Sequence, residues 1–495
     1  MVVEGWLHRA ARTHPQGVGV ESPDGSRTYA ELYDAALTGA RALQARGVGA
    51  GDRVAIALAP GSGFAEAFHA CLLLGAVAVP VDVRLGPAER ALICDGAALI
   101  VEEPLSEASS TRTRGRTAGI SAPAGNASPA PGRSHDLDAV AAVIHTSGTS
   151  AAPRPVELTY ANFLWSALGS AVALDRDPCE RWLCALPVSH VGGLSILVRS
   201  AIYATTAVVH ERFDTQQVLE ALREQDITLV SLVATTLGRL LDAGLQRPPA
   251  LRCALTGGGP VPEALLARAL QAGVPVSTTY GLTEACSQVT TMPVGRGSPA
   301  VGAYKKDALR ARARTRATRT FEDTSSWETS SGAQHAGPPL FCTRVRIDGS
   351  SPEEPGVGEI MVCGPTVAPG TRDRDGWLRT GDLGSLDERG FLRVTGRVAD
   401  TIVSGGENVA PAEVEAVLES HPDVLEAAVL PRPDPRWGES VTAIVLARPG
   451  SDLKAEALRA HCAARLARYK VPKQVDFTSA PLPRTQSGKL LRREL

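Results

Sequence analysis

The sequence carries no surplus of either charge: 51 Lys and Arg face 53 Asp and Glu. A near-neutral chain makes no long-range field to gather nucleic acid or an anionic membrane, so neither is an expected partner. The nine cysteines are scattered, with no C-x-x-C pair and no Cys/His cluster at zinc spacing. That pattern argues against a disulfide framework and a structural zinc site, and it fits a reduced, cytoplasmic setting. Long apolar runs are missing too. The longest, Ala70 to Val83, is broken by Gly75 and Pro80 and is too short to span a bilayer. Residues 1–6 lack the basic region and apolar core of a signal peptide, so none is expected.

What is present is a large store of apolar side chains, 44% of the residues, over a length that suggests about three domain-sized units. Trp6, Leu7, Ala10 and Ala11 share one helical face within residues 5–14. Thr28-Tyr29 opens a second helix, with Leu32, Ala35, Ala36, Ala40 and Leu43 as its stripe and Gly47, Gly49 and Gly51 at its end. Strand-like segments then alternate with helical ones, at 53–58, 76–83, 140–144, 207–209, 228–233, 251–256 and 274–279. Such alternation predicts an α/β fold, a large N-terminal domain of mostly parallel sheets covered by helices.

Two stretches break the rhythm. Residues 103–136, rich in Ser, Thr, Ala, Pro, Gly and Arg, read as a loose surface linker. Residues 303–335 crowd Lys305, Lys306, Arg310, Arg312, Arg314, Arg316 and Arg319 ahead of a polar run. A solvated insertion is the expected reading, with an anionic contact the lesser alternative. From 398 onward a small, hinged α+β unit is predicted: a strand at 400–403, a helix begun by Pro411 and stopped by Pro422, strands at 427–430 and 441–446, and a helix over 454–466. The expected division is therefore 1–397 and 398–495.

Five stretches carry candidate chemistry. After the apolar run Val140–Ile144 comes Thr146-Ser147-Gly148-Thr149-Ser150, with Arg154 just beyond. Hydroxyls, N–H groups and one glycine can wrap a polyphosphate, although such clusters are also plain turns. The loop is not a Walker segment, which would place Gly-Lys-Ser/Thr at a helix start. Gly257-Gly258-Gly259 follows a strand and either admits a flat ring or makes a tight turn. In Tyr280-Gly281-Leu282-Thr283-Glu284 the tyrosine can stack on a base. Glu284 can hold Mg²⁺, or is an acid at a helix start. Asp382 follows a turn glycine and can accept ribose hydroxyls or cap a hairpin turn. Lys489, after Ser487-Gly488, is a swinging charge or a solvated tail lysine.

Together, in this order and spacing, these stretches resemble the adenylate-forming superfamily of acyl- and aryl-CoA synthetases, adenylation domains and luciferases. The run from Leu186 to Ser200, with Ser231-Leu232-Val233, 251–260 and 336–341, is similar to its o-succinylbenzoate–CoA ligase branch, which serves menaquinone biosynthesis. The resemblance implies a ligase using ATP, Mg²⁺ and coenzyme A: a carboxylic acid is adenylated with loss of pyrophosphate, then transferred to the thiol. It implies Thr146, Ser147, Gly148, Thr149 and Arg154 at the phosphates, and Gly257, Gly258, Gly259, Tyr280 and Gly281 around adenine. Thr283 falls near the α-phosphate, Glu284 on the metal, Asp382 on the ribose and Arg397 at a further nucleotide contact. Lys489 is implied as catalytic, and His190 as a gate between pockets. Gly193, Ser195, Ser277, Thr278 and Thr279 fall on the acid pocket, and Gly405, Gly406 and Glu407 on the thiol approach.

The chain departs from the family pattern at Ala151 and Pro155, where glycine freedom and an N–H are lost, and at the hinge, where Ala399 stands for the usual Asp or Lys. Other acids, a stand-alone adenylation enzyme and a nucleotide-binding protein without turnover therefore remain alternatives. The acid and the oligomeric state are open, a homodimer being one option.

Overall fold

Strands that are apolar on both faces tolerate water on neither, and here they form two helix-covered sheets. The structure, a computed structural model, describes residues 1–105, 132–146, 153–294, 335–349, 356–404, 407–435, 437–484 and 490–495. The larger sheet runs, in spatial order, Ser287–Thr291, Val276–Leu282, Cys253–Thr256, Leu229–Leu232, Arg181–Cys184, Thr206–Val209, Val18–Ser22 and Gly25–Thr28. The pairings at its two ends are antiparallel and the rest are parallel. The second sheet runs Leu99–Val101, Arg53–Ile56, Val77–Pro80, Val140–Thr146 and Arg154–Thr159, parallel except in its last pairing.

Side-chain alternation shows how the layers stack. Trp182 and Cys184 enter a core that both sheets share, while Leu183 between them enters a core on the far side. The shared core also takes Ile56, Ala78 and Ile144 from the second sheet, together with helices Ser62–Leu74, Tyr160–Leu174 and Val191–Tyr203. A helix enclosed this way must be apolar nearly all round. Every residue of Val191–Tyr203 except Gly192 is buried. Helix Tyr29–Ala45 starts on a Thr28/Glu31 capping box and buries Leu32, Ala36, Ala40 and Leu43, most of the expected stripe.

One sheet lies beyond the predicted strands, and one expectation is corrected. Arg344–Ile347, Gly358–Cys363, Trp377–Leu386 and Leu392–Arg397 form a separate, wholly antiparallel sheet. Arg344–Ile347, Trp377–Leu386 and Leu392–Arg397 mix apolar with charged or polar positions because they are partly exposed, while Gly358–Cys363 among them carries the buried run from Ile360 to Cys363. The stretch 103–136 is not a loose linker at its end. Ser134–Asp136 pairs with Val2–Glu4, and His135 is buried, stacked 4.4 Å from Tyr160, with Nε2 accepting the Trp6 N–H at 3.2 Å. Residues 106–131 and 303–334 of the two irregular stretches lie outside the described residues.

The C-terminal sheet joins Glu407–Val409, Ile402–Ser404, Gly438–Ala447 and Val424–Asp434 by antiparallel pairings, with Gln474–Thr478 parallel to Gly438–Ala447. Helices Pro411–Glu419 and Ala455–Ala463 bury Val414, Leu418, Leu458 and Cys462 against it. Between Arg397 in the antiparallel sheet and Ile402 in this one lies a single turn of 3₁₀ helix, Val398–Asp400. Among the described residues no helix is long and apolar enough to cross a membrane.

Candidate active site

The apolar run before the hydroxyl-rich loop is the expected strand, and it extends to Thr146. Thr146 pairs with Arg154 on the neighbouring strand, and its hydroxyl donates to the Arg154 carbonyl at 3.3 Å. The two feet of the loop therefore stand side by side. Ser147, Gly148 and Thr149 lie outside the described residues. Arg154–Thr159 is the edge strand of its sheet, where a residue lacking an N–H is tolerated, and this accounts for Pro155.

Registers Leu232↔Thr256 and Thr256↔Thr278 bring the glycine turn and Tyr280 out at the same end of the larger sheet, the end at which open α/β sheets bind ligands. Gly257 has Thr279 pressed against it: a Cβ would stand 2.7 Å from the Thr279 carbonyl oxygen. Gly258 has φ +78°, and Gly259 faces open space. Gly281 serves packing, because a Cβ there would overlap the Ser287 carbonyl. Strand Val276–Leu282 runs past the predicted end at 279 and stops in a 3₁₀ turn, Thr283–Ala285, which packs beside strand Arg154–Thr159. Glu284 is thereby set next to the strand that follows the hydroxyl-rich segment. Its carbonyl accepts the Ala368 N–H at 2.7 Å, and among the described residues no side chain pairs with its carboxylate. A half-buried, unpaired carboxylate suits a hard cation that bridges phosphate oxygens.

Asp382 is no hairpin-turn acid. It lies within strand Trp377–Leu386, on a bulge: Met361 pairs with Arg379 and Glu359 with Leu383, so the three residues Thr380–Asp382 stand against Ile360 alone. Gly381, at φ +71°, donates its N–H to Glu359 Oε1 at 3.0 Å, and the Asp382 N–H donates to Thr380 Oγ1 at 3.1 Å. The bulge turns Asp382 inward, where it is 7% exposed. Its Oδ2 accepts the Tyr280 hydroxyl at 2.7 Å, and Arg397 Nε meets Oδ1 at 2.9 Å. Three residues far apart in sequence are thus joined. Burial, then the charge of Asp382, push the Tyr280 phenol well above its ordinary pKa.

His190 is the residue before helix Val191–Tyr203 and sits in the field of Asp82, on the loop after Val77–Pro80. Gly193 is fixed by packing, since a Cβ would lie 2.4 Å from the Pro187 carbonyl oxygen. Ser277 donates to the Met292 carbonyl, Thr278 to that of His335 at 2.7 Å and Thr279 to that of Thr290 at 2.7 Å. Those three hydroxyls brace the strand. Ser195 differs: it is buried and its hydroxyl has no partner among the described residues.

One turn beyond Ser195 stands a residue the motifs did not single out. Arg199 is 2% exposed, its Nη2 is 3.0 Å from Ser166 Oγ and its guanidinium lies over Trp182. Its Nε has no partner, and among the described residues no carboxylate meets it. Burial draws its pKa down. An unpaired buried cation is costly to keep, so it points to an anionic ligand. Its sequence signal was its place in the run from Leu186 to Ser200, as an arginine inside a mostly apolar helical stretch.

Lys489, Gly405 and Gly406 lie outside the described residues, while Glu407 opens a short strand and is exposed. On either side of Lys489 the chain meets itself, through the Arg484–Leu490 bridge and the Leu491 N–H to the Pro483 carbonyl at 2.8 Å. Arg492 then holds Glu415 at 2.7 Å and Asp400 at 3.1 Å.

Known proteins share this sequence and this fold. The AMP-binding enzyme family model matches residues 7–371, and the model of its C-terminal domain matches 413–489. The 2-succinylbenzoate–CoA ligase of Bacillus licheniformis is 37% identical over 99% of this chain and 98% of its own length. The o-succinylbenzoate CoA synthetase of Bacillus subtilis, solved with its acyl-adenylate intermediate, superposes with a TM-score of 0.82 at 34% identity, covering 100% of this chain and 98% of that one. The same enzyme solved with ATP and magnesium ion gives 0.82 at 33%, covering both chains completely. The chain therefore belongs to the AMP-binding enzyme family, the adenylate-forming superfamily that includes the 2-succinylbenzoate–CoA ligases.

Proposed function

We propose that the chain is an ATP-dependent acid–CoA ligase acting on 2-succinylbenzoate, and so in menaquinone biosynthesis. The observation that carries the choice of acid is Arg199. 2-Succinylbenzoate has two carboxylates. One is activated, and the other keeps its charge and needs a cation inside the pocket. A buried guanidinium with an open Nε beside the unpartnered Ser195 hydroxyl meets that need, whereas a fatty acid would leave it unpaired.

In the first half-reaction the acid's carboxylate oxygen attacks the α-phosphorus of ATP and pyrophosphate leaves. Negative charge grows on the phosphoryl oxygens, so fixed donors and cations dominate catalysis. Thr146, Ser147, Gly148, Thr149 and Arg154 hold the phosphates, Thr283 faces the α-phosphate, and Lys489 bridges the acid to it. Glu284 would hold Mg²⁺, which would neutralise phosphate charge there. Gly257–Gly259 and Tyr280 take the adenine, Asp382 and Arg397 the ribose. In the second half-reaction the coenzyme A sulfur attacks the acyl carbon and AMP leaves. The unit 398–495 turns about 398–400 to withdraw Lys489 and bring Gly405, Gly406 and Glu407 to the thiol, with His190 as gate. These substrates and cofactors fit a cytoplasmic enzyme.

The test is pyrophosphate release with a panel of acids, with and without coenzyme A. Release with 2-succinylbenzoate and loss of thiol are expected. Release with medium-chain acids in its place would make the chain a different acid–CoA ligase. Mg-ATP binding without release for any acid would leave a nucleotide-binding protein.

A further inference from the structure

The Asp382 carboxylate is held at both oxygens before any nucleotide arrives. Oδ2 accepts the Tyr280 hydroxyl at 2.7 Å, and Oδ1 meets Arg397 Nε at 2.9 Å. A carboxylate offers about four lone-pair sites, two on each oxygen. The Tyr280 hydrogen bond takes one on Oδ2 and the Arg397 guanidinium lies against Oδ1 as an ion pair, which leaves acceptor capacity on both oxygens, the pair a vicinal diol requires. With an anchor at each end the carboxylate cannot rotate about its Cβ–Cγ bond without breaking a charge-assisted bond. The backbone beneath it is fixed separately, by the bulge at Thr380–Asp382 and by Glu359, which takes the Gly381 N–H.

We infer that the Tyr280 hydroxyl is a positioning group for ribose recognition: with Arg397 it locks the Asp382 carboxylate so that its remaining lone pairs face the 2′- and 3′-hydroxyls together. The inference rests on the reading of Asp382 as the ribose acid, and it gives Tyr280 a task distinct from stacking of its ring on adenine. The phenol keeps its proton across the working pH range, because burial and the neighbouring carboxylate both favour the neutral form. It is therefore a donor at every pH at which the enzyme works.

Steady-state pyrophosphate release with ATP, 2′-deoxy-ATP and 3′-deoxy-ATP tests this in the wild-type enzyme and in Tyr280→Phe, which keeps the ring. The variant is expected to raise KM for ATP about three- to tenfold, the scale of one net hydrogen bond, with the loss in KM rather than kcat. It should change KM for the deoxynucleotides by less than about twofold, because those substrates no longer use the locked geometry. An equal rise for all three nucleotides, or no rise for any, overturns the positioning role while leaving Asp382 on the ribose. Wild-type enzyme that does not distinguish ATP from either deoxynucleotide overturns the ribose reading of Asp382 itself, and the inference with it.

Discussion

Arg199 and Asp382 show what single side chains contribute and how unevenly sequence announces them. Asp382 sits in a Thr-Gly-Asp segment that can be singled out on sight, yet spacing alone could not separate a turn acid from a buried one. The decision lies in the bulge, and a bulge depends on the partner strand, here Glu359 against Leu383. Arg199 lies within the run from Leu186 to Ser200, but its task was hidden, because an arginine in an apolar helical run looks like an edge residue until the helix is enclosed on all sides. For Arg199→Met we expect two opposite effects. KM for 2-succinylbenzoate should rise by about 100-fold, the scale on which removing one partner of a buried charge pair acts. The unliganded protein should gain about 1–3 kcal/mol, because an unpaired buried cation is gone. Thermal unfolding beside acid-dependent kinetics checks both. At the same scale, Lys489→Ala should slow adenylation by roughly 10²–10³, as loss of a preorganised charge partner does, while thiolation of supplied acyl-AMP slows far less. Single-turnover assays of the two half-reactions read the difference.

Among the elements, helices and parallel strands were the legible ones. Tyr29–Ala45 shows itself by an apolar stripe at helical spacing against an exposed face, and Val140–Thr146 by a continuous apolar run buried in the core. The antiparallel sheet at 344–397 went unseen because three of its four strands are partly exposed and mix charged or polar with apolar positions, leaving Gly358–Cys363 as an isolated apolar run. Helix Pro411–Glu419 was legible from Pro411 and its stripe, but its polar face holds a feature that only the fold creates. Burial, then the nearby Glu415 and Glu426, raise the Glu419 pKa to about 7, against the opposing pull of Arg484. An acid raised in the folded state stabilises fully below its unfolded pKa, and that stability is lost as pH rises through 7. Glu419→Gln should therefore stabilise the C-terminal unit by about 2–3 kcal/mol at pH 8 and leave it unchanged near pH 4. Chemical denaturation followed at Trp437, in that unit, checks this.

For the whole molecule the same linkage has the opposite sign in the larger part. Burial lowers the pKa of His69 to about 3 and that of His135 to about 4. Both are bound neutral in the fold, so the stability they allow is complete above the unfolded value near 6.5 and is lost as pH falls toward the folded values. Calorimetry between pH 5 and 8 should show the transition of residues 1–397 rising with pH while that of the C-terminal unit falls. A single transition with one slope would mean that the two parts unfold together. Their separate cores, joined by one short turn at Val398–Asp400, favour two. The two-part plan was legible because Gly396-Arg397 and Pro411 bracket a change of pattern.

The most direct test is a two-stage trapping experiment. Enzyme, Mg-ATP and 2-succinylbenzoate are mixed without coenzyme A, and the bound products are identified before and after the thiol is added. The account predicts one equivalent of pyrophosphate and one of enzyme-bound acyl-adenylate, all of which passes to coenzyme A with release of AMP. Thioester formed with no adenylate intermediate, or ATP retained intact beside the acid, would contradict it.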